Sequence, residues 1–139
     1  MRSLLISTLF LIASTAALAA PAVDNSPVLG VWKANVDSLP MMTLTLEEEN
    51  GKLIGAVLFY LIRRNPGAPE TASAGAPAPL IDPTFDGKTL SFKVSHRRAH
   101  PGTEHDPPVA FRLELSSDGK IRFLGPDGQQ VEMVRETAF

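Results

Sequence analysis

The chain has 139 residues, no cysteine and a formal net charge of −2 at pH 7. This length accommodates a single domain. The lack of cysteine excludes a disulfide framework, a thiol nucleophile and thiolate metal ligands. The weak acidity provides neither the basic surface that nucleic acid requires nor a polybasic segment for anionic lipid.

The first nineteen residues have the three parts of a secretory signal peptide. Arg2 supplies the positive start, residues 4–17 are apolar or small apart from a few hydroxyls, and Ala17-Leu18-Ala19 fits the A-x-A cleavage pattern. A membrane anchor is the alternative, which the short, hydroxyl-interrupted apolar core disfavours. We therefore predict a signal peptide over 1–19, a flexible lead-in over 20–27 and a β-barrel domain over 28–136. The mature protein is expected to be secreted or periplasmic, without membrane insertion.

Alternation of apolar and polar residues predicts β-strands along the mature chain. Residues 28–36 predict the first strand, and Met42, Leu44 and Leu46 alternate with polar residues in the second. Asn50-Gly51 predicts a two-residue hairpin turn into a strand over 52–63, and Asp86-Gly87 predicts another such turn. Ser117–Gly119 and Pro126–Gly128 predict three-residue loops. Residues 64–79 and 97–108 lack this alternation and are expected to be irregular loops.

The pattern as a whole predicts an all-β fold. About eight short strands joined mostly by tight turns favour an antiparallel up-and-down barrel, because closure removes the exposed edges of an open sheet. A β-sandwich of two sheets is the alternative, since alternation alone does not distinguish the two architectures.

The triplet Gly30-Val31-Trp32 on the first strand, followed by a hairpin meander, resembles the lipocalin or calycin superfamily of small ligand-binding barrels. The chain is also similar to lipocalin-like β-modules of exported bacterial proteins, some of which precede hydrolase domains. The resemblance implies that Trp32 packs at the closed end of the barrel with a basic side chain over its ring. Arg135, near the end of the last strand, is the matching candidate for a cation–π contact. Trp32 and Arg135 are thus expected to be structural.

The predicted inner face supplies the candidate ligand site. A filled core is the default for eight strands, although a barrel of this size can hold one small ligand. A pocket is therefore expected near the mouth, gated by the 64–79 and 97–108 segments. The candidate ligand-binding residues are Phe59, Leu61, Phe92, Val94, His96 and Phe111.

Histidine and arginine residues provide the remaining candidates for chemistry. His96, His100 and His105 could ligate a metal such as zinc, with Asp106 as an outer partner, or they could be incidental residues of a solvated loop. Arg63-Arg64 and Arg97-Arg98 could form a basic rim for an anionic group, or could simply be solubilising charges. No G-x-S-x-G motif supports nucleophilic catalysis, and no cofactor is expected.

The strand over 52–63 is apolar on both faces, which indicates that its outer face is covered. Ile54, Leu58, Tyr60 and Ile62 form this outer stripe and could serve a homodimer or another protein partner. The leading hypothesis is a non-enzymatic exported barrel that binds a small apolar or amphipathic molecule at its open end. An interaction module using the outer stripe is the alternative. A metal-dependent enzyme at the loop between His96 and Asp106 is the third hypothesis.

Overall fold

The computed structural model describes residues 21–95, 107–125 and 128–137. A 3-10 turn, η1 (Ser26–Val28), precedes the strands. The ten strands within these ranges are β1 (Gly30–Val36), β2 (Leu39–Glu49), β3 (Lys52–Arg63), β4 (Thr71–Ala74), β5 (Ala78–Pro79), β6 (Ile81–Phe85), β7 (Thr89–Val94), β8 (Val109–Leu115), β9 (Ile121–Leu124) and β10 (Gln130–Arg135).

The strands form one curled antiparallel sheet in the order β4-β3-β2-β1-β10-β9-β8-β7-β6, with β5 also paired to β3. The predicted all-β, barrel-like fold is therefore confirmed. Ala78 and Pro79 pair with β3, and the Leu80 N–H donates to the Gly55 carbonyl at 2.9 Å. Residues 81–85, immediately downstream, pair with β7. Segment 78–85 thus connects β3 to β7, as expected for a barrel wall and not for two stacked sheets.

The core lies along the inner faces of these strands, where the predicted alternation puts it. Residues that pair across neighbouring strands on the inner face are buried together. Leu44 of β2 pairs with Trp32 of β1 on one side and with Val57 of β3 on the other, and all three are buried. The core has no buried polar or charged residue among the described residues. The buried core residues are Val28, Trp32, Ala34, Met42, Leu44, Leu46, Leu53, Val57, Phe85, Leu90, Phe92, Val94, Leu113, Ile121 and Met133.

Two of the predicted turns are present, and the residues that flank a third are hydrogen-bonded. Asn50 and Gly51 both have positive φ between the paired residues Glu49 and Lys52. Gly119 has a φ of 77°, and the Ser116 N–H donates to the Lys120 carbonyl around a three-residue loop. The Gly125 N–H donates to the Gln129 carbonyl, and Pro126 and Asp127 of the predicted third loop lie outside the described residues.

The predicted Asp86-Gly87 turn is wrong in its register. The Asp86 N–H donates to the Thr89 carbonyl, so the two central residues are Gly87 and Lys88, and only Gly87 has positive φ. The Asp86 side chain adds two further bonds to this turn, because its Oδ1 accepts hydrogen bonds from the backbone N–H groups of Lys88 at 2.9 Å and Thr89 at 2.6 Å. Such side-chain bonds to the backbone two or three residues ahead stabilise turns.

The residues 64–79 also differ from the expected irregular loop, because they contain β4 and β5. Both strands pair with β3, β4 opposite Tyr60–Arg63 and β5 opposite Ala56 and Val57. A second irregularity lies in β6, where the register shifts between Ile81 and Thr84 and Asp82 has a φ of 48°. Ile81 consequently pairs with Lys93 and does not share the register of Phe85.

The Asp86 turn makes stability depend on pH. The hydrogen bonds from Thr89 and Lys88 lower the pKa of the Asp86 carboxyl below its ordinary value of 3.8. A carboxyl with a depressed pKa stabilises the folded state fully above its unfolded pKa, and this contribution is lost as the pH falls through the folded pKa.

We therefore expect Asp86→Ala to lower the urea midpoint at neutral pH, with the difference from wild type shrinking as the pH falls through the ordinary pKa of 3.8 and then through the lower pKa of the folded state. Urea denaturation at a series of pH values measures this. Asp86→Asn is the control: neither asparagine nor alanine ionises at this position, so the stability difference between the two variants should not change with pH. A difference between Asp86→Ala and wild type that stays constant down to the acid limit would show that the carboxylate is not responsible.

Candidate functional site: the open end of the barrel

The two ends of the barrel differ in the segments that connect the strands there. β1, β3, β7 and β9 run in one direction, so the connections at their C-terminal ends lie at the same end of the barrel. We call this the open end. It includes the β1–β2 turn, the 64–70 connection and the flanks of the 95–108 connection. The opposite end carries η1 and the start of β1.

At the opposite end Trp32 has no solvent-exposed surface. Its Nε1–H donates to the Val28 carbonyl at 2.8 Å, and the Arg135 guanidinium lies 4.8 Å from the ring centroid. Arg135 also donates to the Pro27 carbonyl. The expected contact between Trp32 and Arg135 is therefore present. It joins η1, β1 and β10 and closes this end.

Towards the open end the inner face stays apolar while becoming exposed. Along β3, Val57 is fully buried, Phe59 is 38% exposed and Leu61 is 61% exposed. Along β8, Leu113 is fully buried, Phe111 is partly buried and Val109 is 39% exposed. Inward-facing apolar side chains are normally covered by the rest of the wall. These side chains form an apolar patch at the open end, which we call the mouth.

Three phenylalanine rings contact one another at the mouth. The Phe92 and Phe111 rings stack with their centroids 5.4 Å apart, and Phe59 lies 5.9 Å from Phe111 in a tilted arrangement. β3 and β8 are not neighbours in the sheet, so the Phe59–Phe111 contact spans the mouth. Aromatic contacts at these separations contribute about 0.5–1.5 kcal/mol beyond their buried area.

The structure divides the predicted ligand residues into two groups. Phe59, Leu61 and Phe111 have surface that a ligand could contact. Phe92 and Val94 are each 3% exposed, so they form the floor of the mouth and are not free to line a pocket. Val109 belongs to the mouth but was not predicted from the sequence, although its alternation with Phe111 on β8 would have identified it.

His96, His100 and His105 lie outside the described residues, as do Asp106, Arg97 and Arg98, and the metal site they could form stays a prediction. Within residues 21–95, 107–125 and 128–137, no three His, Asp or Glu side chains are arranged to hold a metal ion. No helix in the described ranges is long and apolar enough to cross a membrane.

One arginine of the predicted basic rim is paired. The Arg64 guanidinium lies 2.9 Å from an Asp37 carboxylate oxygen and 3.2 Å from one of Glu70. Asp37 is in the β1–β2 turn, with a φ of 49°. No sequence pattern indicated these partners. The Arg64–Asp37 pair joins the 64–70 connection to the β1–β2 turn, and the Arg64–Glu70 pair lies within the 64–70 connection.

No protein-family model, curated protein or solved structure matches this chain.

The outer wall carries a separate group of charges across β9 and β10. Glu132 accepts from Lys120 at 2.5 Å and from Arg122 at 2.9 and 3.0 Å, and Arg122 also donates to Asp118 at 2.6 Å. Hydrogen bonds from Lys120 and Arg122 lower the pKa of the Glu132 carboxyl. A shallow groove of about 400 Å³ lies beside this network and includes Arg112 and Leu124. The paired charges reinforce the β9–β10 hairpin.

The apolar outer stripe lies on the opposite side of the sheet from the mouth. Ile54 is 40% exposed, whereas Leu58, Tyr60 and Ile62 are partly buried. Thr43 and Ala72 are paired with Leu58 and Ile62 on the neighbouring strands. The use of this stripe by a partner or a second copy stays a prediction.

Proposed function

We propose that the mature protein is an exported, non-enzymatic, lipocalin-like barrel that binds one small apolar or amphipathic molecule at its open end. The observation that carries this proposal is the exposure of inward-facing apolar residues there, rising from Val57 through Phe59 to Leu61. Val109 and Phe111 repeat this trend on β8. Covering such a surface is favourable by about 25 cal/mol for each Å² of apolar area removed from water.

The filled lower half of the barrel supports a shallow site. Leu44, Val57, Leu113, Ile121 and Met133 are essentially inaccessible to solvent. Trp32 and Arg135 close the far end. The ligand is therefore proposed to rest on the phenylalanine floor and against Leu61, without entering the barrel axis.

The neutral fluorescent probe N-phenyl-1-naphthylamine tests this proposal. We expect its fluorescence to rise on titration with the mature protein and its affinity to fall about tenfold in Leu61→Ser, because the serine removes apolar contact area at the mouth. Leu124→Ser is the matched control. Leu124 is 73% exposed on the outer wall, so its loss should change the affinity by less than about twofold.

Both substitutions are at exposed leucines, so neither should perturb folding, and far-UV circular dichroism checks this. If the probe does not bind, or if Leu124→Ser weakens binding as much as Leu61→Ser, the mouth is not the site and the proposal fails.

A further inference from the structure

Arg63 occupies the next inward-facing position on β3 after Leu61. Alternate residues of a strand share a face, so Phe59, Leu61 and Arg63 form one row that leads from the floor of the mouth to its rim. Arg63 pairs with Thr71 of β4, which keeps this last position within the sheet. The Cα atoms of Phe59 and Arg63 are separated by about 13 Å at the normal strand rise.

Arg63 differs from its neighbour Arg64 in its charge environment. Arg64 points towards Asp37 and Glu70 and pairs with both. No carboxylate in the described part of the chain pairs with Arg63, whose side chain is exposed to solvent. A guanidinium at the end of an apolar row has a stem that can pack along the row and a planar head that offers paired N–H donors to a carboxylate.

We infer that the ligand of the mouth is an amphipathic anion, a single-chain carboxylate whose apolar body lies on Phe59, Phe111 and Leu61 and whose carboxylate binds Arg63. This inference rests on the proposed function, since it specifies the ligand class for the same site. The length of the row suits a medium-length acyl chain. A cationic amphiphile of the same length would place its charge beside Arg63 and be disfavoured.

The test compares decanoate with decanol, which have the same apolar chain and differ in head group. Each is used to displace N-phenyl-1-naphthylamine from the wild type, from Arg63→Gln and from Arg112→Gln. Arg112 is a control arginine on the outer face of β8, beside the groove and away from the mouth.

Wild type should bind decanoate more tightly than decanol. Arg63→Gln should weaken decanoate about tenfold and leave decanol within about twofold, because only the carboxylate loses a charge-assisted hydrogen bond. Arg112→Gln should change neither ligand by more than about twofold. Arg63→Lys should restore part of the decanoate affinity, because it keeps the charge without the planar fork.

The outcomes separate the two proposals. If the neutral probe and decanol bind at the mouth but Arg63→Gln leaves decanoate affinity unchanged, or weakens both ligands equally, the anion inference is overturned and the apolar site stands. If neither the probe nor decanol binds, the proposed function fails and the anion inference fails with it.

Discussion

Replacing Trp32 with alanine is expected to remove about 4–5 kcal/mol of folding stability, a large part of the total for a domain of this size. The indole has no exposed surface and lies between β2 and β10, where Leu44 and Arg135 flank it in the sheet. The substitution leaves a cavity, orphans the Val28 carbonyl that accepts from Nε1 at 2.8 Å, and removes the ring under Arg135. Since Trp32 is the only tryptophan, urea denaturation should be followed by far-UV circular dichroism.

Two further variants establish the cause of this loss. Trp32→Phe keeps an aromatic ring but has no donor for Val28, so it should fall between wild type and Trp32→Ala. Leu124→Ala, at an exposed position on the outer wall, should change stability by less than about 0.5 kcal/mol. A Trp32→Ala protein as stable as Leu124→Ala would mean that the Trp32 end of the barrel does not hold the fold together.

Much of the fold was predictable because alternation specifies which face of a strand is buried. Met42, Leu44 and Leu46 were assigned to one face of the second strand from alternation alone, and all are buried. The turn at Asn50-Gly51 was also predictable, because its two residues are suited to positive φ and fix the β2–β3 register.

The errors have physical causes that alternation does not capture. Residues 71–74 and 78–79 form strands through backbone pairing with β3, although their Ala, Ser and Pro side chains carry little pattern. The turn after Phe85 was misplaced by one residue because Asp86 itself bonds across the turn, through its backbone N–H to the Thr89 carbonyl and through its side chain to Lys88 and Thr89. Alternation also does not foresee the bulge at Asp82, which shifts the register so that Ile81 pairs with Lys93.

The residues of the candidate site could be predicted from the sequence, but the degree of burial of each side chain could not. Parity puts Phe59, Leu61, Phe92 and Phe111 on the inner face, yet Phe92 is buried and Leu61 is mostly exposed. The difference depends on how far each strand extends past its neighbours. Phe59 is the last β3 residue that pairs with β2, and β3 continues for four residues beyond it. This stagger between the strands is seen only in the structure.

At the end of β3 that extends past β2, the rim arginines have distinct surroundings and are not equivalent solubilising charges. Asp37 and Glu70 come from separate connections and pair with Arg64. Arg63 is the last residue of β3 and alternation places it on the inner face, whereas Arg64 follows the end of the strand. The two arginines therefore have different surroundings, and only Arg63 continues the apolar row of the mouth.

Replacing Gly55 with alanine is the second substitution expected to have a large effect. A Cβ at this position would lie 2.2 Å from the Thr45 carbonyl oxygen, 3.1 Å from Leu80 Cδ1 and 3.2 Å from Leu46 Cδ2. Neighbouring backbone must shift to relieve the first of these contacts. That shift would disturb the bond from the Leu80 N–H to the Gly55 carbonyl, where segment 78–85 leaves β3 for β7. Glycine at a bend of a barrel wall permits this close approach.

We expect Gly55→Ala to cost about 3 kcal/mol, from overpacking together with loss of the closing hydrogen bond. Urea denaturation followed by circular dichroism measures the loss. Gly67→Ala is the matched control. Its Cβ would meet nothing within 4 Å, and its φ of 80° should cost only about 1 kcal/mol. Equal losses in the two variants would mean that strain at a glycine, and not close packing at the closing segment, accounts for the effect. In that case segment 78–85 would not depend on the absence of a side chain at Gly55.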